Sequence, residues 1–280
     1  VTQSPLQEIL AVFGQPLAGN PTQYAMEKAF ARAGLDWRFV TLEVSPEDLA
    51  DAIRGARGMG FRGFQLADPH RAAAAPLLGR LSERAALVGA VNCVTRIEQE
   101  LFGDNTEGEA FLQALRPLLD PKDQRVLLVG AGAMARAIAV ELALAGAAEI
   151  LVVNRDEGRG SALASLLSEK TKTVARYLPW GNEIEQPAEL QLVINATPVG
   201  AEGGRTRLPL KVAELAADTI VTDVNLPGTR LLREASEREM RVIDGLSLLA
   251  NETCINFQKW TETSPDAELV RESLEEFLGV

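Results

Sequence analysis

The residues of this chain that most clearly carry chemistry are Gly130, Gly132 and Ala135, at the spacing Gly-x-Gly-x-x-Ala with Ala133 and Met134 between them. Glycine in the first slot permits a tight turn. Glycine in the second lets backbone approach a pyrophosphate, and a small third residue lets the following helix pack close to its strand. A helix that starts here offers free N–H groups and the positive end of its dipole to the phosphates. The element that must position this loop is legible: Arg125-Val126-Leu127-Leu128-Val129 is a buried-strand run, the helical pattern continues to about Ala145, and Glu149 to Asn154 reads as the next strand. Asn154 and Arg155, with Arg159 four residues on, stand where a dinucleotide site reads the adenosine ribose. An amide and two guanidiniums suit the 2′-phosphate of NADP, so NADP is the expected cofactor. NAD stays open, because Asp156 and Glu157 repel a phosphate.

Composition bounds the alternatives. The 280 residues suit two domains, and the 46% hydrophobic content supports substantial cores. A net charge of −11 argues against nucleic-acid or anionic-membrane partners, and the dinucleotide loop points to small-molecule chemistry. Cys93 and Cys254 fit no metal spacing, so no metal site is expected, and two reduced thiols point to a cytoplasmic protein. His70 is the only histidine, too few for a multi-histidine metal site. No apolar run is long enough to span a membrane, and no leader pattern opens the chain, which begins at Val1 and is read as part of a longer polypeptide or trimmed.

The remaining elements follow from apolar periodicity. Strands are predicted at Ile9 to Phe13, Trp37 to Val44, Phe61 to Leu66, Leu192 to Asn195 and Ile220 to Val224. Thr22 to Ala33 reads as a helix, Ser45 as the N-cap of the next one, and Val88 to Ile97 with Leu101 to Gly103 as a hairpin. Asp120-Pro121-Lys122-Asp123 punctuates the chain, and the last forty residues read as helical. Strands alternating with helices imply an α/β chain with a doubly wound second half.

Several motifs in fixed order resemble the shikimate dehydrogenase family: Gly89-Ala90-Val91-Asn92, Gly103-Asp104-Asn105-Thr106-Glu107-Gly108, the glycine loop with Asn154-Arg155, Asn195-Ala196-Thr197-Pro198-Val199-Gly200 and Asp244-Gly245-Leu246. The resemblance implies an N-terminal α/β substrate domain (1–104), a Rossmann NAD(P)-binding domain (105–240) and C-terminal helices (241–280) that return to the first domain. It implies an active site between the domains and hydride transfer between the nicotinamide and a shikimate- or 3-dehydroshikimate-like hydroxy acid, a step of aromatic amino acid biosynthesis. Thr197, Val224 and Gly245 join the glycine loop as cofactor residues by the same resemblance. A monomer or homodimer is expected.

The same resemblance exposes departures. Asn20 and Thr22 stand where the family has two carboxylate-binding serines, Ala67 where it has a threonine, and Glu252 where it has a substrate-binding glutamine. Asn225 stands near the nicotinamide in place of a tyrosine, and Asn92 is retained. The catalytic lysine becomes Arg71 and the catalytic aspartate Glu107, which keeps both charges on longer arms. Guanidinium stays charged and orients an oxygen rather than lending a proton. His70 is another candidate base, but some members of the family carry histidine at this slot beside an intact lysine, and the resemblance thus implies a structural role. The departures keep two alternatives open: a dehydrogenase with a different polar substrate, or a non-catalytic sensor of a metabolite or nucleotide.

Overall fold

The computed structural model describes residues 6–184, 186, 187, 189–201, 207–226 and 228–280, so the first five positions, where a leader would begin, lie outside the described residues. The chain divides into two compact units, Val1–Thr106 with Ala250–Val280, and Glu107–Leu249.

In the first unit the chain runs β1 (Ile9–Gly14), α1 (Thr22–Arg32), β2 (Arg38–Glu43), α2 (Leu49–Gly58), β3 (Gly63–Leu66), α3 (His70–Ala74), β4 (Arg80–Leu81), α4 (Glu83–Val88), β5 (Cys93–Ile97) and β6 (Glu100–Asp104). The six strands form one sheet in the order β2-β1-β3-β5-β6-β4. β5 runs antiparallel to both its neighbours, while the other pairs are parallel. The apolar runs that forecast β1 and β3 are buried: Leu10, Ala11, Val12, Phe64 and Leu66 are fully enclosed, and each large side chain so placed contributes about 1.5–3 kcal/mol. Phe13 stacks on Phe64 with ring centroids 4.7 Å apart.

Two local expectations need correction. Ser45 is not an N-cap: the cap of α2 is Asp48, whose N–H donates to Ser45 Oγ at 3.3 Å, while Ser45 Oγ donates to Asp48 Oδ2 at 2.8 Å. The serine closes a turn before the helix. Residue 88 is helical, not the start of a strand. Ser82 caps α4 by accepting from Ala85 N–H, and Gly89 ends the helix at φ +69°, a left-handed geometry suited to glycine. The apolar Leu-Val pair hid a helix too short to show a period.

The second unit runs α5 (Glu107–Leu115), β7 (Arg125–Val129), α6 (Ala133–Leu144), β8 (Glu149–Asn154), α7 (Glu157–Lys170), β9 (Val174–Pro179), β10 (Leu192–Asn195), β11 (Ile220–Asp223), α8 (Arg230–Ser236) and β12 (Val242–Ile243). Its sheet is wholly parallel, in the order β12-β11-β10-β7-β8-β9. The order reverses between β7 and β10, and that switch point is where such sheets take ligands. β7, β10 and the first residues of β8 are buried on both faces, the continuous apolar signature of a central parallel strand.

α9 (Gly245–Thr261) and α10 (Ala267–Leu278) complete the chain. The C-terminal segment from Ala250 belongs to the first unit. There Phe257 stacks on Phe30 with centroids 5.5 Å apart, and Trp260 Nε1 donates to the Val94 carbonyl at 3.0 Å. Gly63 permits this close approach, since a Cβ there would lie 2.3 Å from the Val94 oxygen and 2.5 Å from Trp260 Nε1. Among the described residues no helix is long and apolar enough to cross a membrane.

Candidate active site

The nucleotide loop has the geometry its residue types foretold. Gly130 sits at φ +125°, and a Cβ there would lie 2.6 Å from the Ala196 carbonyl oxygen. Its smallness therefore serves the contact between the β7 and β10 tips. Gly132 is the opposite case. It is the N-cap of α6, its backbone is extended, no side chain caps the helix, and a Cβ there would meet nothing within 4 Å. A helix start with uncapped N–H groups and open space before it is the cradle a pyrophosphate requires. Ala133 and Met134 form the first turn, and Ala135 is fully buried against the sheet. These residues fit a dinucleotide.

Around the switch point the strand ends are tied together. Asn195 Nδ2 donates to Asp223 Oδ2 at 3.0 Å and its Oδ1 accepts from the Thr197 hydroxyl at 2.7 Å. Asn225 Nδ2 donates to the Thr197 carbonyl at 2.7 Å, and Val224 N–H donates to the Asn195 carbonyl at 3.1 Å. A Cβ on Gly245 would lie 2.5 Å from the Val224 oxygen. Thr197, Val224, Asn225 and Gly245 are thus one constellation. Burial raises the Asp223 carboxyl above its usual value, opposed by hydrogen bonds from Asn195, Asn225 and Thr229.

At the β8 tip, Asn154 Nδ2 donates to the Asp156 carbonyl at 2.8 Å, and Asp156 Oδ1 accepts from Arg159 N–H at 3.0 Å as the cap of α7. Arg159 Nε lies 3.6 Å from Asp156 Oδ2. Arg155 is exposed, with its guanidinium carbon 5.7 Å from the centre of the Trp180 ring. Trp180 escaped the sequence reading. β9, which delivers it, is half exposed along its length and has no apolar run to betray it.

The first unit gathers its polar residues at the ends of β3, β5 and β6. Glu252 Oε1 accepts from Gln65 Nε2 and from Asn92 Nδ2, each at 2.8 Å. Asn92 Nδ2 also donates to Thr106 Oγ1 at 2.8 Å, and Asn92 Oδ1 accepts from Thr106 N–H at 2.7 Å. Thr106 Oγ1 in turn donates to Asn256 Oδ1 at 2.7 Å. Gln65, Asn92, Thr106, Glu252 and Asn256 are all buried. Both amide hydrogens of Asn92 are therefore engaged inside the protein, where Asn92 holds the network together. Gln65 Oε1, Asn256 Nδ2 and Thr22 Oγ1 are buried polar atoms with no hydrogen-bond partner among the described residues. An unfilled buried polar group costs about 1–3 kcal/mol, so each of these atoms is a position that a water molecule or a ligand would satisfy. Asn256 was not singled out from sequence because its context reads as an ordinary core helix.

The Gly-Asp-Asn-Thr segment braces this network. Asp104 accepts from Ser82 Oγ at 2.5 Å and Asn105 N–H at 2.8 Å through Oδ1, and pairs with Lys259 at 2.7 Å through Oδ2. Burial raises its carboxyl, but the Lys259 ammonium and these hydrogen bonds outweigh burial and hold it below the usual range.

Asn20 Oδ1 accepts from Thr22 N–H at 2.9 Å, which turns the chain into α1. Ala67 N–H donates to the Phe13 carbonyl at 2.8 Å, so its segment is anchored to the β1 end by backbone alone. Arg71 is mostly buried, with Nη1 2.8 Å from Asp68 Oδ2. His70 is fully buried, with Nε2 2.8 Å from the Val44 carbonyl, a structural hydrogen bond. Glu107, buried at the start of α5, belongs to the second unit, where Gly108 lets α5 lie against α6: a Cβ would stand 2.4 Å from the Ala137 carbonyl oxygen.

Comparison with known proteins agrees with this architecture. The family model for the shikimate dehydrogenase substrate binding domain matches residues 12–94, and that for shikimate / quinate 5-dehydrogenase matches residues 113–198. The NADP(+) shikimate dehydrogenase of Methanopyrus kandleri is 35% identical over 96% of this chain and 96% of its own. The crystal structure of ligand-free 5-ketofructose reductase from Gluconobacter sp. strain CHM43 superposes with a TM-score of 0.93 at 37% identity, covering 98% of this chain and 99% of that one. Shikimate 5-dehydrogenase from Thermus thermophilus, solved with NADP(H) and shikimate, gives 0.87 at 32% identity over 97% and 100% of the two chains. With the substrate-binding unit, the doubly wound nucleotide unit and the ordered motifs all in place, the chain belongs to the shikimate dehydrogenase family.

Proposed function

We propose that this protein is an NADP-dependent oxidoreductase that passes hydride between the nicotinamide and a shikimate- or 3-dehydroshikimate-like hydroxy acid. The observation that carries the reading is the open cradle at Gly132, between the β7 strand and the uncapped start of α6, with Arg155 at the neighbouring strand tip. The cofactor, when bound, supplies the hydride acceptor or donor. Gly130, Gly132, Ala133, Met134 and Ala135 would hold its pyrophosphate; Asn154 and Arg155 its adenosine end, with Arg159 beside them balancing the charge of Asp156; Thr197, Val224 and Gly245 the nicotinamide end.

The chain's own residues do the rest. Thr22, Gln65 and Asn256 bring their unfilled polar atoms to the substrate; Glu252 holds Gln65, Asn92 holds Asn256 through the Thr106 hydroxyl, and Asn20 holds the Thr22 backbone. Arg71 orients the oxygen at the reacting carbon and stabilises the negative charge that develops on it. Glu107 is the carboxylate that takes or returns the hydroxyl proton. Cytoplasmic location and a monomer or homodimer complete the proposal.

A second reading, a polyhydroxylated ketone without the carboxylate, rests on Glu252. Its carboxylate sits in the substrate unit where the family has a neutral amide, and the Gluconobacter neighbour is named for a keto-sugar. One experiment separates the two. NADP reduction is followed with shikimate and quinate, and NADPH oxidation with 3-dehydroshikimate and 5-ketofructose. The first reading expects turnover of the ring acids. Turnover of the keto-sugar alone selects the second, and no nicotinamide turnover with any of the four removes both.

A further inference from the structure

At the β8 tip one arginine is committed and the other is held ready. Asp156 caps α7 through Oδ1 and places Oδ2 3.6 Å from Arg159 Nε, so the charge of Arg159 balances the carboxylate that would otherwise repel a phosphate. Arg155 is placed differently. It makes no ion pair among the described residues, and its guanidinium lies over the indole of Trp180 at 5.7 Å.

The placement has a structural cause. β8 and β9 are parallel, with Asn154 opposite Pro179, so the next residues along, Arg155 and Trp180, leave the sheet side by side. Trp180 is half buried and packs against the apolar core of the second unit, which also includes Leu151, Val153 and Ile184. A ring gripped on its inner side by the core is a rigid platform. Gly160 tightens the same corner, since a Cβ there would lie 2.5 Å from the Tyr177 ring, and the Tyr177 hydroxyl donates to the Asn154 carbonyl at 3.2 Å. An exposed arginine ordinarily loses rotamer freedom when it binds an anion. A guanidinium already resting on an aromatic face has less of that freedom left to lose, and its N–H edge stays available for a bidentate contact.

We propose that Trp180 is a positioning residue that holds Arg155 as the reader of the cofactor's 2′-phosphate, while Arg159 is reserved for neutralising Asp156. The ligand group is a phosphomonoester on the adenosine ribose. The inference rests on the NADP reading above.

The test uses adenosine 2′,5′-bisphosphate and adenosine 5′-diphosphate as probes, titrated calorimetrically into the full chain, with no turnover required. The unmodified protein should bind the bisphosphate more tightly; equal affinities would overturn the NADP reading and this inference with it. Trp180→Leu should weaken the bisphosphate about two- to fivefold, the range of an exposed cation–π contact, and leave the diphosphate unchanged. Trp180→Phe should recover most of the difference, and it also serves as the probe if the leucine variant does not fold. Arg155→Ala should abolish the preference, Arg159→Ala should keep it within about twofold, and the Trp180→Leu change should add nothing in the Arg155→Ala background. An equal loss for both probes in Trp180→Leu, or in Trp180→Phe where that stands in, would mean that the ring only supports the fold. A preference that survives Arg155→Ala but falls in Arg159→Ala would reverse the assignment of the two arginines.

Discussion

Asn92 donates to Glu252 Oε1 at 2.8 Å in the substrate unit, beside the equal donation from Gln65. In the proposed site Glu252 would bring an acid beside the substrate where the resemblance to the family implies a neutral amide. Glu252→Gln should keep an acceptor for both amides and remove the charge. Catalytic efficiency for shikimate should then rise about tenfold, equivalent to about 1.4 kcal/mol, relative to that for an uncharged keto-sugar. An unchanged ratio between the two substrates would show that Glu252 does not set ligand charge.

Thr22 carries a buried hydroxyl without a hydrogen-bond partner among the described residues. Replacing it with isosteric valine removes an unfilled polar group from the interior. The fold should gain about 1–2 kcal/mol, read as a higher denaturant midpoint, while KM for the substrate rises and kcat changes little. A variant that is less stable and binds substrate normally would place the hydroxyl in the fold rather than in the site.

The two loop glycines should part company under substitution. Gly132→Val meets open space in an extended backbone, so stability should hold within about 0.5 kcal/mol while NADP binding is lost. Gly130→Val combines φ +125° with a clash at the Ala196 carbonyl, so the fold itself should weaken. Thermal unfolding alongside cofactor titration separates these outcomes; retained NADP affinity in Gly132→Val would remove the pyrophosphate from this loop.

Asp104 carries a sign-specific pH dependence. Its carboxyl is held below the ordinary value of 3.8 by Lys259 and its hydrogen bonds, against the effect of burial. A depressed folded value gives stability that is present above the unfolded value and lost as pH falls through the folded one. The stability difference between the protein and Asp104→Asn should therefore be full at pH 7 and shrink below about pH 4. Urea unfolding across that window checks it. A difference constant with pH would mean that the Lys259 pairing adds nothing.

Much of this was legible in the sequence where a residue type has one physical use. Gly130 and Ala135 announced their turn and packing roles, Gly132 an open helix start, and β7, β8 and β10 followed from unbroken apolar runs with the bounds Arg125–Val129, Glu149–Asn154 and Leu192–Asn195. What stayed hidden depends on pairs distant in the chain. Nothing local to Gln65 says that Glu252 will accept its amide, and nothing in Val174–Pro179 marks an edge strand that brings Trp180 to Arg155. The short α4 was unreadable for another reason: six residues give too little helical period to outvote a leucine–valine pair.

The bond from Trp260 to the Val94 carbonyl, seated over Gly63, also sets an order of assembly. The substrate unit is sewn from both ends of the chain, whereas Glu107–Leu249 is one continuous stretch. As the polypeptide leaves the ribosome, the nucleotide-binding unit has all its strands in hand while the first unit still lacks the helix that covers Phe30 and Phe39. The unit that starts first on the messenger is the one that finishes last, and its apolar face must wait, exposed or chaperoned, until the final helices emerge.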